Sequence, residues 1–313
     1  MDGMEKSGAN RPGIFQTSQA SQAGGVVVTG YDLRNPLDDA GRAELQSLLD
    51  EHHLLIFPGQ ELAPEDQVRT LSTFGRVCDE NADGIFHTYV SNTRPDGLLG
   101  TRGLPYHCDF SFTQHQPQVL SLYGAEIKGE PEPTTFVNPV RAQATLPDDV
   151  RARFEQFTVV HAHDYSVDGG TRADHGRPAL LDYADMPPYA THPRASFPLL
   201  RLHPRTGKKI LNVTQFHTSH IEGMSRDESE AIVQDLFARL YRPANMYSHY
   251  WKQNDLVIWD NYAIQHGRQP FEGQARAATR TLCRVVVSEK SVVEIMDGVI
   301  YNSTGGFKVP KMG

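Results

Sequence analysis

The sequence has no run of 18 or more apolar residues, so nothing in it reads as a membrane span. It has no excess of positive charge: 30 Lys and Arg stand against 38 Asp and Glu, a formal net charge of −8. A nucleic-acid partner is therefore excluded, because phosphate backbones are held by clustered cations. Cysteine is scarce. Cys78, Cys108 and Cys283 are odd in number and far apart, which excludes a disulfide framework and suits three reduced thiols in a cytoplasmic protein. There is no internal repeat and no heptad pattern, hence no solenoid or coiled coil. The opening "MDGMEKSGANRPGIFQTSQASQAGG" lacks the apolar stretch of a signal peptide, and residues 1–24 are expected to be a disordered or loosely ordered lead.

The remaining composition is ordinary for a globular protein, 39% hydrophobic and 22% charged. Its 313 residues suit one large domain, placed at 25–290, with 291–313 as a tail. "DDAGRAELQSLLDEHH" sets Leu45, Leu48 and Leu49 at helical spacing, and "SRDESEAIVQDLFARLY" opens on a capping box, Ser225 to Glu228. "LLIFPGQ", "VLSLYGAEI", "TTFVN", "TVVHAH", "QNDLVIWDN", "AIQHGR" and "RTLCRVVVSE" read as strands, and "SFPLLRLHPRTGKKILNV" as a hairpin across Thr206-Gly207. Residues 78 to 104 read mostly as loop. Residues 165–195 hold Tyr165, Tyr183 and Tyr189 among several Gly and Pro, and a loop that long suggests a lid. Many short strands with a few outer helices point to a mainly β fold, a jelly roll flanked by helices.

"LPYHCDFSF" places His107 and Asp109 two apart. On a strand, side chains alternate with period two, so both would share one face while Cys108 points away. His266, in "AIQHGR", is the best candidate for a third ligand. Two imidazoles and a carboxylate leave open positions on an octahedral metal, the arrangement of non-haem Fe(II) oxygenases, whereas structural zinc favours closed tetrahedral or cysteine-rich sites. His220 and Glu222 form a rival pair, expected to lie in a turn where they do not converge, and His161 and His163 also stand two apart. In "RTLCRVVV", Arg280 and Arg284 lie four apart, on one face of a strand, and their guanidinium forks match carboxylates. Arg276 and Arg280 form a second pair with that spacing, in a stretch less like a strand.

The ordered series "GYDLRNPLDD", "LLIFPGQELAPEDQ", "TFGRV", "YHCDFSF", "RLHPRTGKKILNVTQFHTSHIEGMSRDESE" and "QNDLVIWDNYAIQH" resembles the TauD/TfdA family of Fe(II)/2-oxoglutarate-dependent dioxygenases, from about Gly25 to Val287. The resemblance implies a double-stranded β-helix and a catalytic iron triad of His107, Asp109 and His266. It implies that Thr134 and Arg280 hold 2-oxoglutarate, and that Arg284 faces the oxo-acid or an anionic substrate. Trp259, Asp260 and Asn261 match a segment whose role is structural. Tyr165 and Tyr183 are candidate substrate contacts. Gly103 and its neighbours do not reproduce the polar residues that hold a sulfonate, so taurine is not the expected substrate.

The implied reaction uses Fe(II), 2-oxoglutarate and O2 to oxidise an unactivated C–H of a small organic substrate, anionic or a natural product, with release of succinate and CO2. Desaturation, cyclisation and oxidative cleavage share that chemistry. Halogenation is disfavoured because Asp109 fills the position where a halide would sit. Two other classes are a zinc metallohydrolase, which leaves Arg280 without a use, and a non-catalytic jelly-roll binding protein, which would be expected to lack a ligand or arginine. The family often forms dimers or tetramers, and a homo-oligomer is consistent with it.

Overall fold

Short strands of apolar alternation fold into facing sheets that carry helices on their outer side. A computed structural model describes residues 13–163, 193–295, 300–301 and 307–308. The chain begins with an antiparallel pair, β1 (Gln16–Ser21) and β2 (Gly24–Thr29). β1 falls within the lead expected to be loose. Its sequence, QTSQAS, has no apolar alternation, and its side chains are mostly exposed, so it is held by the backbone of β2 rather than by burial. Helix α1 (Asp39–His52) starts where Asp38 accepts a bond from the Gly41 amide, and it buries Leu45 and Leu49. β3 (Leu54–Phe57) is buried throughout, and α2 (Pro64–Leu71) takes proline in its first turn.

β4 (Thr88–Ser91) and β5 (Leu98–Leu99) lie in the stretch expected to be mostly loop; they are too short to carry a periodic signal. β6 (Leu104–His107), β7 (Val119–Lys128) and β8 (Thr134–Val137) follow, then α3 (Pro139–Ala144), α4 (Asp148–Phe154) and β9 (Thr158–Ala162). The expected lid, with Tyr165, Tyr183 and Tyr189, lies outside the described residues, apart from the start of β10 (Arg194–Pro198). β11 (Leu200–Leu202) and β12 (Lys209–Leu211) form the expected hairpin. β13 (Thr218–Ile221) precedes α5 (Arg226–Leu240), whose capping box is Ser225 with Glu228. The chain continues through β14 (Met246–His249), β15 (Leu256–Asp260), β16 (Gln265–Arg268) and β17 (Thr279–Val287). The expected tail contains a short helix, α6 (Val292–Ile295), and a two-residue ladder of β18 (Ile300–Tyr301) with β19 (Phe307–Lys308).

The major sheet runs β1-β2-β3-β15-β7-β17-β4-β5, and the minor sheet runs β14-β8-β16-β6. Leu120, Leu122, Val257, Trp259, Leu282 and Val286 of the major sheet pack with Phe136 and Ile264 of the minor sheet's side. Trp259 and Phe136 meet edge to face at 5.3 Å. On the other face of the major sheet, Val285 and Val287 belong to a core with Leu45, Leu49 and Leu71 of the helices. β17 therefore has two functional faces. One alternation goes to the helices, while Leu282, Val286, Arg280 and Arg284 turn toward the minor sheet. Among the described residues no helix is long and apolar enough to cross a membrane.

Candidate active site

His107 ends β6, His266 lies on β16, and the two strands pair antiparallel with these residues directly opposite. Their rings stand 4.3 Å apart between centroids. Asp109 enters by a route that period two does not describe. β6 ends at His107, and Asp109 sits in the turn that follows, where Phe110 has a φ of +56°. Asn261 fixes that turn: its Oδ1 accepts from the Asp109 amide at 2.9 Å, and its Nδ2 donates to the carbonyls of Asp109 (3.0 Å) and Pro117 (2.9 Å). Asp109 Oδ1 then lies 2.9 Å from His107 Nε2 and 3.7 Å from His266 Nε2. The ligand atoms of His107, Asp109 and His266 all fall within 4.8 Å of one another, a set able to hold a metal ion.

The protonation states suit that use. The His107 Nδ1 lies 2.8 Å from the Pro105 carbonyl, so this nitrogen donates and Nε2 keeps its lone pair toward Asp109. Burial, with His107 beside it, pushes His266 down to about 3, so its imidazole is neutral near neutral pH. Burial alone would raise Asp109, yet the Arg284 guanidinium beside it holds its carboxyl well below the usual range. Cys108, buried, donates its thiol to the Ile264 carbonyl at 3.6 Å.

Arg280 is 2% exposed and reaches from the major sheet to Thr134 at the start of β8, donating Nη2 to Thr134 Oγ1 at 2.6 Å. Its Nε and Nη1 are buried and make no hydrogen bond. Burial pushes this guanidinium well down, as befits a cation enclosed without an anion. Trp251 Nε1 also donates to Thr134 Oγ1, at 3.0 Å. With both lone pairs of the hydroxyl occupied by donors, its own O–H is left to donate. A buried pocket corner with unused N–H and O–H donors fits a carboxylate. Arg276, the other member of the alternative pair, is exposed and donates Nε to the Phe271 carbonyl.

Arg284, expected to face an oxo-acid or an anionic substrate, is held between two carboxylates: Nη1 on both oxygens of Glu80 and Nη2 on Asp109 Oδ2. Glu80 was invisible to sequence reasoning, being a lone acid in a stretch without periodicity. Beside His107 stands a wall of rings, Phe112, His163, Phe216 and His217, with His217 5.9 Å from His107 and Ser111 Oγ 2.9 Å from His217 Nδ1. Burial pushes His217 well down, so its imidazole is uncharged.

The rival His220 is in β13, not a turn. It is buried and bonded to Ser219 Oγ at 2.9 Å, while Glu222 is exposed just past the strand. His161 is buried against Thr218. Asp260 is buried and ties the β11–β12 hairpin to β15 by accepting from His203 Nε2 (2.9 Å) and Arg205 Nη2 (2.6 Å). Asn261, assigned only to a structural segment, holds the backbone of a candidate ligand. Its position after "IWD" was visible; its partner, 152 residues earlier, was not.

Asn261→Ala is expected to leave the Asp109 amide and two carbonyls without their buried partners, costing about 2–4 kcal/mol of stability. Loosening Asp109 should also weaken binding of a metal ion by the three convergent side chains about 10- to 100-fold. Denaturant melts and anaerobic metal titration check the two effects, and metal binding equal to wild type would remove this role.

Residues 16–286 match the family model described as taurine catabolism dioxygenase TauD, TfdA family. The chain is 31% identical to a (S)-phenoxypropionate/alpha-ketoglutarate-dioxygenase of Sphingobium herbicidovorans, over 79% of this chain and 87% of that protein. It is 26% identical to a pentalenolactone F synthase of Streptomyces arenae, covering 84% and 91% of the two chains. Its fold matches the crystal structure of a taurine dioxygenase from Burkholderia xenovorans with a TM-score of 0.70 at 22% identity, over 96% and 95% of the chains. With its jelly roll, two opposed histidines and an intervening carboxylate, the chain belongs to the TauD/TfdA family, the 2-oxoglutarate-dependent dioxygenases that use Fe(II), 2-oxoglutarate and O2 to act on small molecules.

Proposed function

We propose that His107, Asp109 and His266 hold the Fe(II) and that Arg280 with Thr134 binds the distal carboxylate of 2-oxoglutarate. When bound together with 2-oxoglutarate and O2, the iron supplies the oxidising power for attack on an unactivated C–H, with succinate and CO2 released. The protein's share is positioning. Pro105 sets the tautomer of His107, and Asn261 fixes the turn that carries Asp109. Trp251 holds Thr134 so that its O–H joins the unused Nε and Nη1 of Arg280 as donors. The uncharged ring wall of Phe112, Phe216 and His217 excludes water beside His107.

The observation that carries this proposal is the convergence of three ligands from two distant chain segments, within 4.8 Å, alongside a buried arginine lacking an anion. A zinc hydrolase would leave that arginine unexplained, and a binding module would not require the triad. The similarity to relatives named for phenoxypropionate and for pentalenolactone F makes compounds of those two kinds the first to screen.

Anaerobic addition of Fe(II) and 2-oxoglutarate is expected to produce a weak visible absorption band that needs both components. Admission of O2 should then release succinate, and product mass from the screen would distinguish hydroxylation from desaturation or cleavage. A protein that binds Fe(II) but shows neither the band nor succinate would overturn the proposal.

A further inference from the structure

Arg284 is the second inward arginine of β17, and its environment differs from that of Arg280. Where Arg280 keeps two unused N–H groups, Arg284 has Nη1 on both oxygens of Glu80 and Nη2 on Asp109. Both members of the Glu80 pair are buried, at 5% and 8% exposure, so water does not compete for either. Thr88 adds a hydroxyl bond to Glu80 Oε2 at 3.2 Å, which fixes the carboxylate further. One guanidinium thus sits between two carboxylates: Asp109, a proposed iron ligand, and Glu80, which lies outside that ligand set.

Among the described residues lining the groove beside Glu80, carboxylates outnumber arginines and lysines. Glu80 lines a groove of about 490 Å³ together with Asp83, Asp96 and Arg94. Arg94 is itself engaged by Asp96, through two bonds of 2.8 Å. An arriving carboxylate or sulfate would therefore meet an occupied cation and a fixed negative charge. An uncharged group would meet no such opposition.

We infer that Glu80 is a specificity-determining residue: by occupying Arg284, it sets the site for a substrate uncharged at its iron-facing end and disfavours substrates that are carboxylates or sulfates there. This rests on the dioxygenase reading given above. A purely structural ion pair would stabilise the fold without discriminating between ligands, and the test separates these two roles.

Phenoxyacetate and 2-phenoxyethanol share a ring and an ether and differ in the terminal carboxylate. Their binding to the anaerobic Fe(II)·2-oxoglutarate protein can be measured by calorimetry in wild type, Glu80→Gln and Glu80→Ala. In wild type, phenoxyethanol is expected to bind more tightly than phenoxyacetate. Either variant should release Arg284 Nη1 from Glu80 and tighten phenoxyacetate at least tenfold relative to phenoxyethanol, and the ratio within one protein cancels a general loss of affinity. Tighter binding of phenoxyacetate by wild type would overturn the inference without any variant. So would the absence of any such gain in both variants. Failure of the wild type to release succinate with any substrate would instead count against the dioxygenase assignment, because the binding comparison needs no turnover.

Discussion

Asp109→Ala is expected to leave a protein that folds but does not retain Fe(II), with succinate release reduced about a thousandfold or more. The carboxylate is the oxygen donor of the set, and its Oδ1 is the atom both imidazoles approach, at 2.9 and 3.7 Å. Losing one of the three proposed ligands removes several kcal/mol of metal interaction, and each ~1.4 kcal/mol is a factor of ten. The substitution also takes one carboxylate from Arg284, but Glu80 remains on that guanidinium, so no bare buried cation results. Iron content after gel filtration and the 2-oxoglutarate absorption band check the outcome. Stoichiometric iron in Asp109→Ala would show that the metal is held elsewhere.

The second large effect joins affinity to stability with opposite signs. Arg280→Met is expected to weaken 2-oxoglutarate binding by about 30-fold to several thousandfold, the ~2–5 kcal/mol lost when one partner of a buried charge pair is truncated. The same change should stabilise the ligand-free protein by about 1–3 kcal/mol. In that state Arg280 is a buried cation with two unused N–H groups, and an apolar side chain of similar length avoids that cost. Thr134 would keep its bond from Trp251, so the pocket corner should not collapse. Thermal melts with and without 2-oxoglutarate separate the two effects: the melting point should rise without ligand, and the shift on adding ligand should shrink. A fall in stability without ligand would mean that Arg280 already has its anion within the fold.

Much of this site can be read from residue types alone. Metal chemistry demands imidazole and carboxylate, and a short H-x-D motif with a distant histidine shows that demand directly in the chain. The spacing of Arg280 and Arg284 follows from strand alternation, and so does their common face toward the minor sheet. The capping box of α5 and the burial of Leu45 and Leu49 in α1 were equally local and equally visible.

Other features were not local. Asp109 was expected on a strand beside His107; it reaches the same place from a turn clamped by Asn261. β1 was expected within a loose lead, because its polar side chains hide a strand that exists only through pairing with β2. Residues 16–21 show that an edge strand can be specified by its neighbour's backbone rather than by its own pattern.

By itself the sequence determined which chemistry the chain can perform, since ligand type and local period are properties of single segments. Tertiary structure alone decided which charges meet. Glu80 lies 204 residues from Arg284, and only the β17–β4 side of the major sheet brings them together. Arg280 and Thr134, 146 residues apart, are joined across the two sheets. Charges interact through space rather than along the chain, so the substrate's environment is settled by topology.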